Sequence, residues 1–76
     1  MNLEERTQEA ISKINGLIAG WCKSNNATSE TFAKQMNIST VTLSYKRNGK
    51  REWTLNELAK MAQIFDVSLE DLITNK

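Results

Sequence analysis

A single all-α domain of five helices is predicted for this chain by three observations. The 76 residues include no proline and only three glycines, Gly16, Gly20 and Gly49, so turn-formers are scarce and helix formers abundant. Apolar residues recur at three- and four-residue spacing, the period of a helix with one buried face. Each such stretch opens on a residue suited to cap a helix: Asn2, Thr28, Ser39, Thr54 and Ser68. No repeat, low-complexity run or linker divides residues 1–76.

The first helix starts at Asn2, with Glu5 completing a reciprocal cap, and runs to about Lys23. Leu3, Ala10, Ile11, Ile14, Leu17, Ile18 and Trp21 form its apolar face. It is long for so small a domain, so residues 1–9 are expected to project or to pack on a second subunit. Gly16 and Gly20 each cost about 1 kcal/mol relative to alanine inside a helix, which predicts close approach of a neighbouring helix there. Lys13, Asn15 and Lys23 exclude a membrane dimer motif on the same spacing. Ser24-Asn25-Asn26-Ala27 has turn composition.

The second helix follows its cap Thr28 and buries Phe32, Ala33 and Met36. Asn37 stands where the chain turns, because asparagine tolerates the left-handed backbone better than any residue except glycine. Ile38 plugs the turn and Ser39 caps a third helix, Thr40 to Arg47. Two helices joined by about three residues make a helix-turn-helix over residues 28–49. In such a pair the second helix is placed to enter a DNA major groove. Gly49 suits a positive φ with close backbone approach, or an ordinary helix C-cap, and the two are compatible. Thr54 with Glu57 caps a fourth helix whose stripe is Leu55, Leu58, Ala59, Met61, Ala62 and Phe65. Asp66 ends it, Val67 plugs the turn, and Ser68 with Asp71 caps a last short helix that returns Leu69, Leu72 and Ile73 to the core.

Composition narrows the function. Without histidine and with one cysteine, no Ser-His or Cys-His pair can form, and no metal-ligand spacing occurs. An enzyme is therefore not expected, nor a metal, cofactor or small-molecule ligand. Glu4, Glu5 and Glu9 crowd a helix start as caps, and nothing converges on them. Cys22 cannot form an internal disulfide, which favours a reducing compartment, and it reads with Trp21 as core, an inert thiol. No apolar run approaches a membrane span, and Asn2-Leu3-Glu4-Glu5-Arg6 is no secretory signal, so the expected location is the cytoplasm.

The net charge of +1 conceals an uneven distribution. Residues 1–33 sum to −1, residues 34–51 to +5 with no acidic side chain, and residues 52–76 to −3. All the excess positive charge, Lys34, Lys46, Arg47, Lys50 and Arg51, thus falls on the helix-turn-helix and the loop after it. A local patch of this kind orients phosphate without making the whole molecule adhesive.

Ser29 to Gly49, and then Trp53 to Ile73, resemble the Cro/phage-repressor type of helix-turn-helix domain, the λ-repressor-like or XRE family. The matching features are Ala33, Ile38-Ser39 after the turn, Thr42-Leu43-Ser44, Asn48-Gly49-Lys50, Thr54-Leu55, Leu58-Ala59-Lys60-Met61-Ala62 and Val67-Ser68-Leu69-Glu70-Asp71-Leu72-Ile73. Three positions depart from the family pattern. Asn37 replaces a turn glycine. Lys46 sits where a buried apolar residue is usual, so either the end of the helix tilts or Tyr45 takes over the packing. Trp53 stands where proline is common, which alters the loop.

The resemblance implies a compact five-helix fold that binds double-stranded DNA, bacterial or phage-encoded, with Thr40, Val41, Ser44 and Tyr45 reading bases. Their hydroxyl and apolar contacts discriminate less sharply than a bidentate pair, so DNA shape carries part of the specificity. Packing is the competing role for Val41 and Tyr45. Lys46, Arg47, Asn48, Lys50 and Arg51 are placed to hold phosphates, with Thr28 and Ser29 at a helix N-terminus and Ser39 at the next. A homodimer on a near-palindromic operator is expected, as in a small Cro-like repressor, its interface drawing on Trp53, Leu69 and Ile73 or on the extended first helix. For Trp53 the competing role is a core aromatic. The rival function is a protein-interaction module on the same frame, an antitoxin subunit or a repressor antagonist, suggested by the Lys46 departure.

Overall fold

The computed structural model describes the backbone of residues 3–73 and the side chains of residues 8–72. Among the described residues the chain forms five helices and no strand: α1 (Leu3–Ser24), α2 (Ser29–Met36), α3 (Thr40–Arg47), α4 (Leu55–Phe65) and α5 (Leu69–Ile73). Their starts follow from side-chain caps. The Thr31 amide donates to Thr28 Oγ1 at 3.3 Å, the Thr42 amide to Ser39 Oγ at 3.0 Å, and the Asp71 amide to Ser68 Oγ at 3.0 Å. At α4 the cap is reciprocal: the Glu57 amide donates to Thr54 Oγ1 at 3.1 Å, and the Thr54 amide to Glu57 Oε1 at 2.8 Å. The Asn2 and Glu5 cap expected for α1 lies outside the described residues.

Helices α1 to α4 end in one way. Asn26, Asn37, Gly49 and Asp66 take positive φ values of 51°, 60°, 75° and 57°. The amide of the next residue then reaches back five positions: Ala27 to the Cys22 carbonyl, Ile38 to Ala33, Lys50 to Tyr45 and Val67 to Ala62, at 2.8 to 3.0 Å. This closure satisfies carbonyls that the helix itself leaves open. Ile38 and Val67 lay an apolar plug on the core at two of these ends, as the sequence predicts.

The core gathers one to three residues from each helix: Ile14 and Ile18, Phe32, Ala33 and Met36, Leu43, Met61 and Ala62, and Leu72. Phe32 is its centre, edge-on to Trp21 with centroids 5.5 Å apart and stacked on Phe65 at 5.7 Å. Helix α1 packs on α2, α3 and α5, α2 on α3 and α4, and α4 on α5. Helix α3 is thereby held between α1 and α2 by one face, leaving its other face to solvent.

Four expectations need correction. No atom lies within 4 Å of a Cβ built on Gly16 or Gly20, so no helix closes on them. Leu55 is 69% exposed and Ala59 is exposed, because the α4 face that meets the core is Leu58, Met61, Ala62 and Phe65. Trp21 and the free thiol Cys22 are half-buried at the core margin rather than within it. Helix α3 is unbroken to Arg47 with Lys46 itself buried and Tyr45 44% exposed, so Tyr45 does not take over that packing. Among the described residues, no helix is long and apolar enough to cross a membrane, and no cluster of His, Cys, Asp or Glu could hold a metal.

Candidate nucleic-acid interface

Positions 40, 41, 44 and 45 fall on one stripe of α3 by helical periodicity, opposite Leu43 and Lys46. All four are exposed, Val41 by 60% and Tyr45 by 44%. Val41 and Tyr45 are two of the three large apolar side chains left in solvent among the described residues. The packing alternative considered for them therefore finds no partner surface in the monomer.

Lys46 is placed differently from the sequence expectation. It is 5% exposed, and its Nζ donates to Glu57 Oε1 at 2.5 Å and to the Glu52 carbonyl at 2.9 Å, 5.4 Å from the centre of the Trp53 ring. It takes the buried position of the third helix with its aliphatic stem and carries the ammonium through to the first turn of α4. Lys46 therefore leaves the phosphate-binding set. The partner, Glu57, was legible in the sequence only as a cap. Burial by itself would raise the Glu57 carboxyl; the Lys46 hydrogen bond, the Thr54 amide and the Lys46 charge outweigh it and hold the group below its ordinary value.

Arg47 is half-buried and fixed to α1. Its Nε donates to Asn15 Oδ1 at 3.2 Å, while Asn15 Nδ2 donates to the Arg47 carbonyl at 2.9 Å. Both residues line an open cleft of about 350 Å³ with Ser29, Thr40, Leu43, Ser44 and Asn48. The cleft joins the first residue of α2 to the exposed stripe of α3, and among the described residues no carboxylate lines it. Two of the hydroxyl candidates are committed to capping, Thr28 to the Thr31 amide and Ser39 to Thr42, where Ser39 Oγ also donates to Thr42 Oγ1 at 2.9 Å. Asn48 folds back, its Nδ2 donating to the Ser44 carbonyl at 2.8 Å.

Lys50 and Arg51 are exposed in the loop after α3. Lys50 Nζ lies 6.0 Å from the Tyr45 ring centre, at the position where Ile38 and Val67 form apolar plugs after α2 and α4. Lys34, also exposed, faces Glu30 at 4.0 Å, a pair that solvent screens. Trp53 is half-buried between Lys46 and the core, with its indole N–H buried and unbonded, and Leu69 packs on the core margin. The side chain of Ile73 lies outside the described residues. Sequence reading missed Asn15, whose signal is a polar side chain beside the core residue Ile14 on an otherwise apolar flank, and the exposure of Leu55, which its helical spacing hides.

An exposed helix face beside a carboxylate-free cleft and a basic loop suits a polyanion. Residues 21–75 match the family model for the Cro/C1-type HTH DNA-binding domain, nearly three quarters of the chain. Compared with curated proteins and with solved structures, the chain matches none significantly. Fold and family model agree, and the chain belongs to the Cro/C1-type HTH DNA-binding domain family, as a DNA-binding transcription regulator.

Proposed function

We propose that the protein acts as a homodimeric repressor on a near-palindromic operator, with α3 in the major groove. Thr40, Val41, Ser44 and Tyr45 face base edges; Val41 meets a thymine methyl, and the hydroxyls donate or accept. Phosphates are held by Arg47, Lys50 and Arg51, by Asn48 and the Gly49 backbone, and by the starts of α2 and α3 at Thr28, Ser29 and Ser39. The observation that carries this reading is the juxtaposition of the exposed α3 stripe with Arg47 and the loop cations. Two subunits place their α3 helices one helical turn apart, roughly 34 Å. Leu55 supplies an exposed apolar contact for that pairing, in addition to Trp53, Leu69 and Ile73. No catalytic role is proposed.

A protein-interaction role would leave the loop cations without a task. The feature that suggested it, Lys46, sits in an unbroken helix with a partner of its own. Titration of duplex DNA against salt tests the reading, and binding should fall with a slope reporting roughly four to eight neutralised phosphates per dimer. An affinity flat between low and physiological salt would refute it.

A further inference from the structure

We infer that Asn15 is a positioning residue for Arg47, and so a determinant of DNA affinity that lies on α1, outside the helix-turn-helix and outside residues 21–75. The inference rests on the proposed phosphate role of Arg47. Asn15 is joined to Arg47 twice, once through the side chain, Arg47 Nε to Asn15 Oδ1 at 3.2 Å, and once through the backbone, Asn15 Nδ2 to the Arg47 carbonyl at 2.9 Å. One donor and one acceptor are both used, which fixes the amide orientation. The backbone bond closes a carbonyl in the last turn of α3, where helical partners run out. The side-chain bond holds the guanidinium by Nε, leaving both terminal nitrogens of Arg47 for a ligand.

The chemistry of the orienting group matters. A carboxylate at position 15 would hold the guanidinium and also neutralise it, whereas an amide holds it and leaves the full positive charge in place. Among the described residues, Arg47 is the one charged residue lining the cleft that opens between α1, the first residue of α2 and the α3 stripe. An arginine fixed there before DNA arrives avoids the cost of ordering a long side chain on binding. Asn15 thus acts on the phosphate through Arg47 without touching it.

The two bonds can be separated, because Arg47→Ala removes the side-chain bond and keeps the carbonyl. Affinity for a duplex selected from random DNA, its salt slope, and the thermal midpoint would be measured for the wild type, Asn15→Ala, Arg47→Ala and the double variant. Asn15→Ala is expected to weaken binding roughly three- to tenfold, the scale of one long side chain left unordered. In the Arg47→Ala background the same change should alter affinity by less than about twofold. The fall in thermal midpoint caused by Asn15→Ala should persist in that background, since the backbone bond is lost in both. Equal affinity losses in both backgrounds, or none in the wild type, would overturn the inference while leaving DNA binding intact. Wild-type protein with no salt-dependent affinity would overturn the phosphate reading itself, and this inference with it.

Discussion

Lys46 Nζ and Glu57 Oε1 meet at 2.5 Å with both side chains largely shielded from water, tying the exposed helix α3 to the first turn of α4. The same carboxylate oxygen accepts the Thr54 amide that caps α4. One atom therefore joins the last turn of α3 to the cap of α4. Removing one partner of a shielded pair leaves the other with an uncompensated charge. Lys46→Met, which keeps the volume, is expected to destabilise the fold by about 2–3 kcal/mol. Adding Glu57→Gln should recover much of that loss. Urea unfolding of the two single variants and the double variant measures the coupling. DNA binding by Lys46→Met should keep the wild-type salt slope, because Lys46 is buried and held by Glu57.

Acid should weaken the same link. The Glu57 carboxyl titrates lower in the folded protein than in the unfolded chain, so the unfolded state binds more protons in the window between the two values. Its contribution is fully present above the unfolded value of about 4.3 and is lost as pH falls through the lower, folded value. Wild-type stability should thus decline more steeply than that of Glu57→Gln from about pH 4.5 downward. Parallel curves for the two proteins, read from urea midpoints at successive pH values, would show that the pair contributes nothing.

The two parts of the proposed DNA-facing surface should separate by substitution. Thr40 and Ser44 lie on the exposed stripe, so Thr40→Ala and Ser44→Ala are expected to alter which sequences are preferred. Lys50→Ala and Arg51→Ala should weaken all duplexes alike and reduce the salt slope by about one unit per subunit. Selection from random DNA, followed by salt titration on selected and scrambled duplexes, distinguishes the effects. Identical losses on both duplexes for all four variants would mean that α3 does not read bases.

Much of the fold was legible in the sequence because the caps are local. Thr28, Ser39, Thr54 and Ser68 bond to amides three residues ahead, and Asn37 and Asp66 turn the chain by their own backbone preference. The core was legible where periodicity decides, as in Phe32, Leu43 and Met61. What escaped depends on contacts between distant segments. Lys46 meets Glu57 and Arg47 meets Asn15 only after α3 has packed, and nothing in the spacing of those residues announces either pair. Leu55 failed for a related reason: a helical stripe wide enough to include it was wider than the face α4 buries.

Backbone requirements at the glycines give the last expectation. Gly49 has φ of +75°, and a Cβ there would lie 3.2 Å from Ile11 Cδ1, so both strain and crowding oppose a side chain. Gly49→Ala is expected to cost about 1–2 kcal/mol, and Asn37→Ala about 1 kcal/mol, because each forces alanine into the left-handed region. Gly16 and Gly20 sit within α1 with open space where a Cβ would go. In an isolated subunit Gly16→Ala and Gly20→Ala should each stabilise by about 0.5–1 kcal/mol, since the substitution removes the entropy glycine loses on folding and adds no clash. Thermal and urea unfolding at low protein concentration measures this, and sedimentation at high concentration measures association. A loss of stability that grows with concentration would mean that this face of α1 meets a second subunit closely enough to exclude a methyl group.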